Sequence, residues 1–96
     1  MTVNSPGVFQ IREDLLIEEV DGEFVILDMH HNVYFGLEAM GKLIWELLQQ
    51  EQDVDSIVNT IASHYGVSED VVRRDVMTFI DQLVEQGLIT TRVNRA

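Results

Sequence analysis

The apolar pattern of this chain changes period once, and that change limits the fold more than any other feature. Up to residue 37 apolar residues come in short alternating runs broken by turn residues; beyond it they recur at helical spacing. Leu15 to Val20 and Glu23 to Met29 flank Asp21-Gly22, the pair that a two-residue type I′ turn uses, so these runs read as a hairpin. In the second run Phe24, Ile26 and Asp28 fall on one face and Val25, Leu27 and Met29 on the other. A strand apolar on both sides until its end suits the middle of a sheet. The polar turn His30-His31-Asn32 then leads to a third short strand, Val33 to Leu37, with no later strand placed to pair with it. Val8 to Arg12 can form another short strand, whose partner the pattern leaves open.

Glu38 to Gln50 carries Met40, Leu43, Ile44, Leu47 and Leu48 on one stripe, with Trp45 beside it as a core or interface anchor. Asp53 is an N-cap for a second helix with Ile57, Val58, Ile61, Ala62 and Tyr65 on one side, closed by Gly66. Ser68 caps a third, Glu69 and Asp70 sit in its first turn where the helix dipole favours acids, and Gly87 lies just past its end. Leu88 to Thr91 then leaves as an extended tail. The expectation is an α+β fold, a three-stranded antiparallel sheet followed by three helices, in one domain over residues 1–96, a length that supports a single core.

Several function classes are disfavoured by composition. The absence of cysteine removes disulfides, thiolate metal sites and cysteine nucleophiles. The net charge is −11, with twelve acids against two bases in residues 1–60, so most of the surface repels a nucleic-acid backbone and favours a neutral or basic partner. The N-terminal sequence has no basic region followed by an apolar run and no stretch is long enough to span a bilayer, so the expected location is the cytoplasm, without membrane contact. His30 and His31 are neighbours in a turn and His64 is remote, which reads as three solvent histidines and no metal site. Glu18, Glu19, Asp21 and Glu23 surround a hairpin turn and read as a solvated rim. No HExxH, GxGxxG or triad order is present, so the chain is expected to have no catalytic residues and no cofactor.

Two features point to peptide binding. A strand at Val33 to Leu37 with one side unpaired offers main-chain groups that an extended peptide can satisfy, although a short edge left to water is the ordinary alternative. The third helix carries more apolar residues than one core face needs. At 100° per residue Val72, Val76, Phe79 and Leu83 form a core stripe, while Arg73, Met77, Ile80 and Val84 form a second one, either a groove wall or a broad flank of the core. Arg73 and Arg74 are adjacent bases in a very acidic protein, and Arg73, sharing the second stripe, is the better placed to meet a ligand; Asp75 lies on the opposite flank.

The segment VDGEFVILDMHHNVYFGLEAMGKLIWELL, followed by VDSIVNTIASHYGV and RRDVMTFIDQLVEQGLI, resembles the PqqD-like family across nearly the whole chain, and its lasso-peptide branch most of all. The resemblance rests on an ordered set: Tyr34 to Leu37, the helix containing Ile44 to Leu48, and Asp75 to Leu88. It implies a winged helix-turn-helix-like recognition element that binds the leader of a ribosomally made precursor peptide and presents it to separate enzymes, a leader peptidase and a ring-forming enzyme. In such elements the leader adds beside the third strand and rests on the third helix. By position, that assigns peptide contact to Asn32, Val33, Tyr34, Phe35 and Gly36 on the edge and to a helix wall between Val72 and Val84, where Arg73, Arg74, Met77, Ile80 and Val84 are the candidates. The quinone-cofactor branch usually has a proline-containing turn where this chain has His30-His31-Asn32, so that branch's specific function is not carried over. Two other readings stand beside this one: a winged-helix nucleic-acid or transcription-partner module, which the charge opposes, and a structural adaptor docking an enzyme through its acidic face.

Overall fold

The computed structural model describes residues 9–91. Its elements run β1 (Phe9–Ile11), β2 (Leu15–Val20), β3 (Glu23–Asp28), β4 (Val33–Leu37), α1 (Ala39–Gln49), α2 (Val54–Tyr65), α3 (Glu69–Glu85) and β5 (Ile89–Thr91). Asp21 and Gly22 take φ of 53° and 83°, the left-handed pair that a tight hairpin between β2 and β3 requires. β2, β3 and β4 form an antiparallel sheet in that order, so β3 is the central strand, as its two apolar faces anticipated, and β4 is an edge. The register aligns Ile17, Ile26 and Phe35 across one face and Leu16, Leu27 and Tyr34 across the other. Burial is concentrated on the first of these, where Ile26 and Leu37 join the core residues of the helices in one cluster.

Helix boundaries follow their capping chemistry. Asp53 accepts the Ser56 backbone N–H at 2.8 Å to start α2, and Gly66, left-handed at φ 69°, ends it. Ser68 caps α3 through the Val71 N–H, and Gly87 at φ 76° turns the chain beyond its end, where the Leu88 N–H donates back to the Leu83 carbonyl. The segment after α3, expected to leave as an extended tail, is extended but turns back. Ile89–Thr91 pairs antiparallel with Phe9–Ile11 as a second, two-stranded sheet. Leu88, Ile89 and Phe9 are buried, and the pairing satisfies backbone groups that such burial would otherwise strand. This also gives the early strand its partner; of the expected range Val8 to Arg12, Val8 lies outside the described residues.

Candidate functional site

Among the described residues β4 pairs with β3 on one side only, so on its other side alternate residues direct backbone groups outward. Val33 and Tyr34 on this strand are exposed and Phe35 is half-buried. Along this edge, between β4, the start of α1 and one flank of α3, runs a cleft of about 300 Å³. Its apolar lining comes from Phe35, Met40, Ile44 and Phe79, and its polar lining from Glu38 and Gln82, both exposed. The Phe35 and Phe79 rings stand 6.3 Å apart at a 48° tilt, an aromatic pair shared by strand and helix. Gly41 makes this close approach possible: a Cβ there would sit 3.1 Å from two carbons of the Phe79 ring. A wider depression, edged by Glu19, Glu23 and Glu38, adjoins the cleft at Gly36 and continues it around the end of β4. Lys42 lies there with its ammonium 4.1 Å from the Phe24 ring centroid.

The cleft uses a different flank of α3 from the one the helical pattern indicated. Arg73 pairs with Asp55 of α2 at 2.9 Å, which turns its side of α3 toward α2. Met77 and Val84, 40° and 20° round from Arg73 at 100° per residue, share that side. Phe79 is about 120° away and faces β4. Ile80, on the second stripe and assigned to peptide contact, is 1% exposed and belongs to the core, whereas Phe79, expected in the core stripe, is only half-buried. Arg74 is exposed, and its carbonyl accepts the Thr78 hydroxyl. Thus the structure brings Phe35 and Gly36 to the cleft, leaves Val33 and Tyr34 along the edge and Asn32 in the turn before it at φ 58°, and places Arg73, Met77 and Val84 elsewhere. The cleft residues missed in the sequence, Phe79, Met40, Gly41, Glu38 and Gln82, left one usable signal: a glycine inside a helical stripe marks a close approach.

The turn that leads into β4 is braced by a buried carboxylate. Asp28, 2% exposed, accepts two hydrogen bonds from the Arg12 guanidinium at 2.8 and 3.0 Å. His31 adds its backbone N–H at 3.2 Å and its ring Nδ1 at 2.9 Å. His31 is therefore not the free solvent histidine expected, although its side chain is 61% exposed. The Arg12 hydrogen bonds hold the Asp28 carboxyl far below the usual carboxylate range, with His31 contributing in the same direction. The same contacts push the Arg12 guanidinium further up, and Arg12 hydrogen bonds also lower Asp14. Arg12 further donates to the Gly87 carbonyl, and its backbone N–H to the Leu88 carbonyl, so one residue ties the β3–β4 turn to the strand following α3. Among the described residues no three His, Cys, Asp or Glu side chains gather as a metal-ligand set, and no helix is long and apolar enough to cross a membrane.

Residues 23–89 match the family described as coenzyme PQQ synthesis protein D (PqqD). Among solved structures, the chain is similar to TbiB1 in complex with the TbiA(beta) leader peptide, at 32% identity and a TM-score of 0.76, over 83% of this chain and 93% of that one. It shares its fold with lasso peptide synthetase B1 complexed with the leader peptide, at 23% identity and a TM-score of 0.78, over 84% and 95% of the two chains. No curated protein matches the chain.

Proposed function

The chain belongs to the PqqD family, and on that premise we propose that it binds the leader of a ribosomally made precursor peptide, of the lasso-peptide kind, as a strand added to the free edge of β4. Main-chain hydrogen bonds to β4 supply affinity, and side chains of the leader enter the Phe35–Phe79 cleft to supply selectivity. The observation that carries this reading is the coincidence of an unpaired strand edge with an apolar cleft along the same edge. Its support is that TbiB1, 32% identical, is described in complex with a leader peptide. The protein acts as a non-catalytic module: it holds the leader while a separate leader peptidase and ring-forming enzyme work on the peptide. The carboxylates around the neighbouring depression favour a leader that is neutral or basic where it leaves the cleft.

Calorimetry with the cognate leader tests this directly. Saturable binding is expected, and a leader carrying proline at a position that donates to β4 should lose it, because proline has no N–H for the ladder. The absence of any saturable signal up to high micromolar concentration would contradict the reading.

A further inference from the structure

Arg12 makes as many side-chain hydrogen bonds as a guanidinium has N–H donors. It donates to both Asp14 oxygens at 2.9 and 3.1 Å, to both Asp28 oxygens at 2.8 and 3.0 Å, and to the Gly87 carbonyl at 3.3 Å. Its backbone N–H adds the Leu88 carbonyl at 3.1 Å. Arg12 is also the one base among residues 9–38, so no neighbour in that stretch can stand in for it.

These acceptors belong to segments that lie far apart in the chain, and two of them border the proposed leader site. Asp28 is the register partner of Val33, the first residue of β4, and its carboxylate also accepts the His31 N–H in the turn before that strand. Gly87 follows the end of α3, whose last turns carry Gln82 of the cleft. The two walls of the cleft are therefore tied directly by Phe35 against Phe79 and, where β4 begins, through Arg12. Stability alone does not explain such a tie. A charged pair drawn out of water regains in attraction little more than it loses in hydration, and apolar residues of equal volume often hold a fold as well. What apolar contacts lack is direction, whereas the planar fork fixes Asp28 and Gly87 at set distances and angles from each other.

We propose that Arg12 is a positioning residue for leader binding: through Asp28 and Gly87 it sets the spacing of the β4 edge and α3 before the leader arrives, so that little ordering remains for the binding step. The inference rests on the leader-binding reading of the cleft. By linkage, a bound leader must in turn stabilise the Arg12 contacts and the β1–β5 pairing beside them.

The test compares wild type with Arg12→Ala, Arg12→Lys and, as a control away from these contacts, Ile57→Val at a fully buried position of α2. Each is followed by thermal melting, by leader titration at a temperature where all are folded, and by amide hydrogen exchange with and without leader. Lysine keeps a charge beside Asp28 but offers its donors from one nitrogen and cannot span both carboxylates and the carbonyl. Arg12→Lys should recover most of the melting temperature that Arg12→Ala loses, while leader affinity in both stays about tenfold or more below wild type. Ile57→Val should melt earlier with leader affinity within about twofold of wild type. Without leader, exchange at the His31 and Leu88 amides should be faster in both Arg12 variants; in the wild type, leader should slow it at Arg12 and Leu88. If Arg12→Ala does not fold, Asp28→Asn takes its place. Leader affinity that simply follows melting temperature across the set, or that is unchanged in a folded Arg12→Ala, would overturn the proposal and leave Arg12 a structural tie. A wild type that binds no leader would sink the leader reading instead. The leader-free exchange still tests Arg12 in that case, since unchanged rates at His31 and Leu88 in both variants would show that it does not hold the two walls.

Discussion

At Asp28 a carboxylate almost removed from water accepts four hydrogen bonds, two from Arg12 and two from His31. Desolvation by itself would raise its pKa, but the hydrogen bonds outweigh it and the group is held well below its ordinary 3.8. Because the folded state depresses this pKa, the stability Asp28 contributes is fully present above the ordinary carboxylate value. It is lost as the pH falls below that value toward the folded one. Asp28→Asn should therefore lower the melting temperature by several degrees at pH 7 and also flatten the acid side of the stability profile. Thermal melts of both proteins from pH 7 to pH 2 measure this; a variant with an unchanged acid slope would remove Asp28 from the account. Weaker leader binding should accompany the loss, because the residues braced here form the turn that leads into β4.

Among the elements, α3 separates two predictions by flank. Phe79→Ala removes a half-buried ring from the cleft and should cost about 1–2 kcal/mol of stability, less than the 3–5 kcal/mol of a fully buried phenylalanine, while leader affinity falls about tenfold or more. Met77→Glu and Arg73→Ala, on the flank turned toward α2, should leave leader affinity within about twofold, whatever small change they make to stability. Titration of all three with one leader distinguishes the flanks, and a larger loss for Met77→Glu than for Phe79→Ala would put the wall on the other side. α1 offers a further probe at Gly41. Alanine there gains roughly 0.5–1 kcal/mol of helix propensity but meets the Phe79 ring at 3.1 Å. Since Phe79 borders open space in the cleft, the ring can shift into it. Gly41→Ala should then melt within a few degrees of wild type while binding the leader less tightly; a folded variant with undiminished affinity would show that the cleft width does not limit binding.

For the molecule as a whole the governing quantity is charge. At −11 over 96 residues the protein must overcome repulsion before any phosphate contact forms. No shifted band is expected in a duplex-DNA gel-shift assay at moderate salt. A discrete complex that weakens steeply with salt would instead favour the winged-helix nucleic-acid reading.

Local chemistry was legible in the sequence wherever neighbours along the chain decide the outcome. The Asp21-Gly22 hairpin, the Asp53 and Ser68 caps, the central place of β3 and the edge position of β4 all follow from turn geometry, capping and alternation, and all appear in the structure. Contacts between residues far apart in the chain were not legible. The pairing of β5 with β1, and the convergence of Arg12 on Asp28 and Gly87, depend on where the helices bring the chain end. A helical wheel shows that α3 carries two adjacent apolar stripes, but it does not say which part of them faces a strand, because angular position on a helix says nothing of what is packed against it. Phe79 lies against Phe35 and Arg73 against Asp55 only because of the way α1 and α2 set α3 against the sheet, and that orientation made Phe79 a wall of the cleft and Ile80 part of the core.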